Sequence, residues 1–559
     1  MDDKLPEYFY QRFDEGRIKN SFWPRITSDE TIKLFPERGL HILFINVPIR
    51  EWAYPNVMPI GQGYVGAVAR MDGHIINVLD LNAERKEPIK DALELYIKQV
   101  EARVIQKLEE AKPDVIGIGG IITQYAWIKR IVSICKVVYP DVSIVLGGGI
   151  ATCAPEFMIK HLPIDVVIQQ EGEITFSEVL HRIELKKKSF EAIKGVVWRE
   201  NISSGYAIRN NGFRPSIKAY QDGLDLVPWP LRSAWPEEEV YRINPKGHLN
   251  WKNKWLTGAP TEKNQYSSTM IASRGCPYAI KGCDYCYAMY LGKLYRLRSP
   301  KEVADEMQYL QQRFGVVYIH FLDDLLLVNY QWALEFFREL RKKRESGFDV
   351  IWGGSCRTNI VADDVLRARK EGRPHILEQA YEVGMRQAGY GIESASPIIL
   401  KNIDKSGQTV EKMKIAIKET QRVMGYVDCS FMIGSPGETE ATVKETVDFC
   451  KKVGLKPEVF FFTTAYPGTA FWQLALEKGL IAKAVTGKKG SADDSIIEEY
   501  FLNLGEQGDN VRTNFSDLPD EKIIELSWWA VNELGAQNIV RHPYTGDSKK
   551  KEMATLKED

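Results

Sequence analysis

Long apolar runs are missing from this sequence. No stretch of about eighteen apolar residues occurs anywhere in its 559 residues, and the first thirty, MDDKLPEYFYQRFDEGRIKNSFWPRITSDE, contain no apolar core of a secretory leader. The expectation is a cytoplasmic protein with no membrane span. A surplus of charge is missing too: 74 Lys and Arg stand against 75 Asp and Glu, a formal net charge of −1, so no global field recruits nucleic acid. Basic surface runs and low-complexity arms, common in nucleic-acid binders, are lacking as well. Cysteine is scarce, eight in all, too few and too scattered for a secreted disulfide framework, so a cluster of them points to a metal or to chemistry. Cys135, Cys153, Cys356, Cys429 and Cys450 stand alone and read as small buried hydrophobes.

What is present describes a soluble globular chain, 44% hydrophobic, 11% aromatic and 27% charged, and long enough for several domains. After an N-terminal extension over 1–39, strand-like apolar runs alternate with amphipathic stretches over 40–200: HILFINVPI, IINVLDLN, DVIGIGGII, SIVLGGGI, DVVIQQEGE and AIKGVVWR. This alternation predicts a parallel α/β, Rossmann-like domain, whose ligands belong at the carboxyl ends of the strands. Residues 201–265 are rich in Pro, Gly and Trp and read as a connector, which Trp229, Trp235, Trp251 and Trp255 pin to neighbouring surfaces. A second block over 266–480 repeats strand and helix six times, SSTMIAS, VVYIHFLDD, DVIWGGSC, QAGYGIES, VDCSFMIG and EVFFFTTAYPGT, predicting a partial or full (β/α)6 barrel. A charged, mostly helical region over 481–559, with Trp528 and Trp529, completes the chain.

The densest chemistry lies in RGCPYAIKGCDYCY, where Cys276, Cys283 and Cys286 follow the first strand of the second block. The nearest histidines, His248 and His320, have no finger-like spacing to them, although a zinc knuckle completed by a distant residue stays open. An iron-sulfur cluster normally takes four cysteines; three leave one iron able to accept an amine and a carboxylate from a small molecule.

Across about 210 residues this block resembles the radical S-adenosylmethionine (SAM) enzymes, in which three cysteines after the first barrel strand hold a [4Fe-4S] cluster that binds SAM. The usual family spacing places three residues between the first two cysteines; here there are six, PYAIKG. The resemblance implies that Tyr285 lies near the adenine, that Asp323 and Asp324 of FLDDLLL accept from the SAM ammonium, and that Glu393 and Ser394 of YGIESASPIILKNIDKSGQT hold its carboxylate and ribose, with Lys405 beside them. SFMIGSPGET and AYPGTAFW resemble the later strand ends.

The first block resembles the cobalamin-binding domain that precedes many radical SAM enzymes, carried by PIGQGYVGAVARMDGHIINVLDLNAE, KPDVIGIGGIITQYAWIKRI, SIVLGGGIATCAPE and IDVVIQQEGEITFSEVL. The resemblance implies that Gly147, Gly148 and Gly149 admit a nucleotide tail, that Gly119 and Gly120 lie beside the corrin, and that Glu171 and Glu173 form a GEGE-like turn in which Gln170 replaces a glycine. The Asp-x-His-x-x-Gly motif of classical cobalamin carriers is missing; DLNAERKEP stands in its place, so no lower axial histidine is expected.

Together these imply an anaerobic, cobalamin-dependent radical SAM enzyme using a [4Fe-4S] cluster, SAM and methylcobalamin, fed by a low-potential electron donor. The reaction expected is methyl transfer to an unactivated carbon. The sequence singles out no catalytic acid, base or nucleophile. The widened cysteine loop sets the chain apart from antibiotic-biosynthesis methyltransferases and leans toward a peptidyl side chain, such as glutamine of methyl-coenzyme M reductase; a small metabolite or lipid stays open, with the connector and the Trp528 and Trp529 helix expected to shape the pocket. The rivals are a cyclase or rearrangement enzyme on the same scaffold, and a zinc-stabilised corrinoid sensor.

Overall fold

The computed structural model describes residues 39–49, 57–84, 93–187, 189–203, 205–219, 223–236, 240–241, 266–279, 282–287, 294–457, 459–504 and 511–536. Trp251, Trp255 and His248 lie outside them. Seven strands make the first sheet: β1 (His41–Asn46), β2 (Ile75–Asp80), β3 (Val115–Gly119), β4 (Ser143–Gly147), β5 (Val166–Ile168), β6 (Val196–Ile202) and β7 (Gly205–Asn210). Their order is β2-β1-β3-β4-β5-β6-β7, with the first five parallel and the last two antiparallel. Strand order reverses between β1 and β3, which opens a crevice at their carboxyl ends, Asn46 and Gly119.

The runs that form the central strands are apolar throughout because helices cover both faces: Leu43, Ile116 and Leu146 belong to one core, Phe44, Val115 and Val145 to the other. The sheet runs past the boundary expected at 200. β7 is exposed at both ends and only half-buried at Ala207 and Ile208, as an edge strand can be, and Arg209 pairs with Glu200 across it at 2.6 Å, so no apolar run marks it in the sequence.

The second domain is built on β8 (Tyr266–Met270), β11 (Val316–Phe321), β12 (Ile351–Cys356), β13 (Met385–Glu393), β14 (Asp428–Ile433) and β15 (Phe460–Phe462), with the short antiparallel pair β9 (Ser273–Arg274) and β10 (Arg296–Leu297) beside it. The six strands lie in sequence order, all parallel, with β8 and β15 as open edges: a partial barrel. Its helices are cleanly terminated. Ser299, Thr409 and Thr439 cap the helices Pro300–Phe314, Val410–Met424 and Glu440–Val453, and Gly315, Gly425 and Gly454 end them in the left-handed conformation.

The C-terminal helices tie the halves together. Tyr500 and Phe501 of Asp494–Leu502 share one core with Tyr125, Ile128 and Ile150 of the first domain, and Glu498 receives the Tyr125 hydroxyl at 2.6 Å. Trp235 packs in the first domain's core against Phe44, and Trp229 donates to Glu302 at 2.7 Å, so both connector tryptophans are packing residues. Trp529 packs on the barrel core; neither it nor Trp528 lines the cavity described next.

Candidate functional site

The carboxyl ends of the two sheets face one cavity of about 560 Å³. The first sheet contributes Asn46, Gly119, Gly120 and Gly147 through Gly149; the second contributes Ser273 through Gly275 and Leu322 through Asp324, at the root of the cysteine loop. Lining side chains such as Phe44, Ile118, Val145 and Ile168 are apolar, as a large flat ligand requires. The glycines do different things. Gly148 sits at φ +83°, and a Cβ there would stand 2.6 Å from the Gly120 carbonyl, so this glycine lets two loops touch. At Gly149 a Cβ would meet the Tyr287 ring at 2.8 Å, so its bareness admits the cysteine loop. Gly147 differs: a Cβ there has nothing within 4 Å and would stand in free volume at the cavity wall.

Glu171 and Glu173 also border the cavity, and they clasp the other domain. Arg274 reaches Glu171 at 2.9 Å and Glu173 at 2.5 Å, Arg296 reaches Glu171 at 2.8 Å, and the Ile217 N–H donates to Glu171 at 2.8 Å. Burial alone would raise the Glu171 pKa; the Arg274 and Arg296 guanidiniums outweigh it and hold the carboxyl below its usual value. Gln170, in the place of the expected glycine, takes φ +60° and is held by its N–H to Thr152 Oγ1 at 2.7 Å. Glu171 is thus a clasp between domains, and only Glu173 Oε2 stays without a partner.

The two aspartates after β11 divide their work. Asp323 accepts from the Ala272 N–H at 2.9 Å and from the Ser273 hydroxyl, which locks β11 to the segment leading into the cysteines. Burial pushes its pKa up to about 7. Asp324 Oδ2 is buried with no partner, and burial pushes that carboxyl up to about 6. Of the pair, Asp324 is the one able to take a cation from the cavity.

Cys276, Cys283 and Cys286 lie on a loop pinned to the segment after β13. The Cys283 and Asp284 N–H groups donate to the carbonyls of Asp404 at 2.7 Å and Ile403 at 3.2 Å, with Cys283 at φ +61°. Burial raises the Cys276 pKa. Among the described residues no three His, Cys, Asp or Glu side chains are grouped to hold a single metal ion. A four-iron cube instead takes each thiolate at a separate iron.

Tyr285 and Glu393 are brought together: the Tyr285 hydroxyl donates to Glu393 at 3.0 Å, and the Lys405 ammonium meets Glu393 at 2.8 Å and Tyr285 at 2.7 Å. Ser394 is not in this group. Its buried hydroxyl accepts from the Ser396 N–H at 3.1 Å and pairs with Thr446 at 3.2 Å.

Sequence reasoning missed several residues. Arg274 and Arg296 are buried cations whose carboxylates lie more than a hundred positions away, so no local pattern marks them. Arg357, at the end of β12, donates to Cys283 Sγ at 3.6 Å. Glu438 of the SPGET turn accepts from the Gly434 and Ser435 N–H groups at 2.6 and 3.0 Å, and burial pushes its pKa up to about 7. The Gly-x-x-x-Glu spacing after an apolar strand is the signal that could have found it.

The cavity fits an amide-rimmed macrocycle together with an ammonium-bearing small molecule. Gln62 Oε1, Glu173 Oε2 and Asp324 Oδ2 all border it, all are buried, and none has a hydrogen-bond donor. Corrin amides and a SAM ammonium are donors of the required kind. No histidine stands among the described residues that line it.

Comparison with known proteins agrees with this geometry. Residues 270–450 match the Radical SAM superfamily model and residues 49–180 the B12 binding domain model. An uncharacterized methyltransferase of Pyrococcus horikoshii is 30% identical over 447 residues, 80% of this chain and 84% of the relative. An anaerobic magnesium-protoporphyrin IX monomethyl ester cyclase of Rubrivivax gelatinosus is 26% identical over 74% of this chain and 67% of its own length. The fold is shared with TsrM, a radical S-adenosylmethionine methyltransferase of Kitasatospora setae solved with cobalamin and a [4Fe-4S] cluster, at a TM-score of 0.58, 17% identity, and coverage of 89% of this chain and 91% of that one.

Proposed function

This chain belongs to the cobalamin-dependent radical SAM methyltransferase family, and we propose that its methyl group goes to an unactivated carbon. One observation carries the reading: a single cavity is walled by the strand ends of the B12 binding domain and by the segment that leads into the three cysteines. When bound, the reduced [4Fe-4S] cluster supplies the electron that splits SAM into a hydrogen-abstracting radical, and methylcobalamin supplies the methyl group.

The residues divide the remaining work. Cys276, Cys283 and Cys286 hold the cluster. Asp324 receives the SAM ammonium with its free oxygen, while Asp323 fixes the strand that carries it. The Tyr285, Glu393 and Lys405 group stands at the carboxyl end of β13, on the same edge of the sheet, to orient the rest of SAM. The first sheet leaves room at Gly147 for the corrin and, through apolar neighbours, keeps water from a reactive carbon. A low-potential electron donor completes the system.

For the acceptor we propose a peptidyl side chain, the glutamine of methyl-coenzyme M reductase being the first to test; the widened cysteine loop supports this choice. Anaerobically reconstituted protein is expected to carry about four irons and one corrinoid and to release 5′-deoxyadenosine under reducing conditions. Cys283→Ala should abolish that release, and undiminished release would rule out the ligand assignment. The cyclase relative makes oxidative cyclisation the second reading. Product mass separates the two, because methylation adds one methyl group and cyclisation adds none. Proteome-wide mass spectrometry of a deletion strain, searched for a lost methyl group, identifies the acceptor.

A further inference from the structure

Tyr278, two residues after Cys276 in the cysteine loop, serves as a platform. The Arg357 guanidinium stacks on the Tyr278 ring, 3.7 Å from its centroid, and Asn359 donates to the Tyr278 hydroxyl at 2.9 Å. Each edge of the guanidinium is committed: Nε donates to Asn359 at 3.0 Å, one terminal nitrogen to the Ser406 carbonyl at 2.8 Å, and the other to Cys283 Sγ at 3.6 Å. Arg357 is buried, and its position at the end of β12 leaves it little other freedom.

A buried, permanently charged guanidinium with an N–H aimed at a sulfur stabilises negative charge on that sulfur. We propose that Arg357, held by Tyr278, is a positioning residue that raises the reduction potential of the cluster on Cys283. The inference rests on these cysteines being the cluster ligands. In the step concerned, one electron passes from a low-potential one-electron donor to the cluster, whose charge falls by one unit, with no proton moved. Arg357 favours the reduced state because more negative charge then faces it.

The test is a dithionite or viologen titration of the reconstituted full-length protein without SAM, followed by electron paramagnetic resonance. Arg357→Met should lower the midpoint so that, at the wild-type midpoint, the ratio of reduced to oxidised cluster falls about tenfold, a shift of about 59 mV for one electron. Tyr278→Phe, which keeps the ring, should leave the midpoint in place. Tyr278→Leu, which removes the platform, should shift it the same way as Arg357→Met, and the double variant should add little further. A fully loaded Arg357→Met protein with the wild-type midpoint overturns the proposal. If Arg357→Met assembles no cluster, Tyr278→Leu decides: a lowered midpoint supports the proposal, and an unchanged midpoint or a lost cluster overturns it by making the pair a scaffold for the loop. Absence of any reducible iron-sulfur signal in the wild type would instead sink the ligand assignment itself.

Discussion

On the wall formed by the first sheet, the strand ends present Gly119, Gly120 and Gly147 through Gly149; on the wall formed by the second, they present Asp323 and Asp324. Both are carboxyl ends of parallel strands, so the backbone geometry is alike and the side chains make the difference. One wall supplies room and close approach of loops. The other supplies charge, and must keep that charge alive in a buried place. A large flat ligand is recognised by fit, a small zwitterion by paired charges, and the chain has assigned one sheet to each.

Breaking the clasp that holds the walls in register should have the largest effect. Glu171→Gln removes the shared carboxylate of Arg274 and Arg296 and leaves two buried cations underpaired. The expected cost is about 3–5 kcal/mol. It should be read as a lower midpoint in chemical unfolding and as earlier proteolytic separation of the domains, with affinity for corrinoid and SAM falling together because each needs the facing wall.

The walls should then separate under single substitutions. Gly147→Leu starts a side chain in the free volume, since its φ of −129° suits any residue and nothing lies within 4 Å of a Cβ there. Corrinoid affinity should fall at least about tenfold, corresponding to about 1.4 kcal/mol, while iron content stays as in the wild type. A variant that kept corrinoid and lost iron would reverse the assignment of the two walls.

Asp324→Asn probes the charged wall. SAM affinity should fall about tenfold, the scale of a hydrogen bond to a charged group, with iron and corrinoid unchanged. Its pKa also fixes a pH dependence. Burial raises the folded-state value from 3.8 to about 6, so the folded apo chain holds this proton longer than the unfolded one. Between about pH 4 and 6 the folded state therefore binds more protons, and stability falls as pH rises through that window, by about 3 kcal/mol at most from this group. The Asn variant should lack that slope in pH-dependent unfolding. SAM binding should run the other way in the wild type, weakening below about pH 6 as the carboxylate takes up its proton.

These contrasts follow what the sequence made legible. The central strands announce themselves as apolar runs because both their faces are covered, and the cysteines by their spacing. β7 does not, since an exposed edge strand reads like a loop. The same limit applies within the site. Asp323 and Asp324 look equivalent in FLDDLLL, and only the fold shows that one is spent on Ala272 and Ser273. Glu171 and Glu173 resemble a ligand turn, but their partners Arg274 and Arg296 lie in the other domain, and no local pattern encodes a pairing at that separation. Arg357 and Tyr278 escaped for the same reason.

Glu393 and Ser394 give the smallest and sharpest case. They are neighbours at the end of β13, and a reading of the sequence treats them as one SAM-holding pair. In the structure Glu393 takes φ +65°, an uncommon backbone state for a residue with a side chain, and the chain turns there. Its carboxylate joins Tyr285 and Lys405, whereas the Ser394 hydroxyl goes to Thr446 and the Ser396 N–H. Ser394→Ala should therefore cost about 1 kcal/mol of stability, as a lost buried hydrogen bond does, and leave SAM affinity within about threefold of the wild type. A tenfold loss of SAM affinity at unchanged stability would return Ser394 to the binding site, and would mean that this turn rearranges when the charged wall is filled.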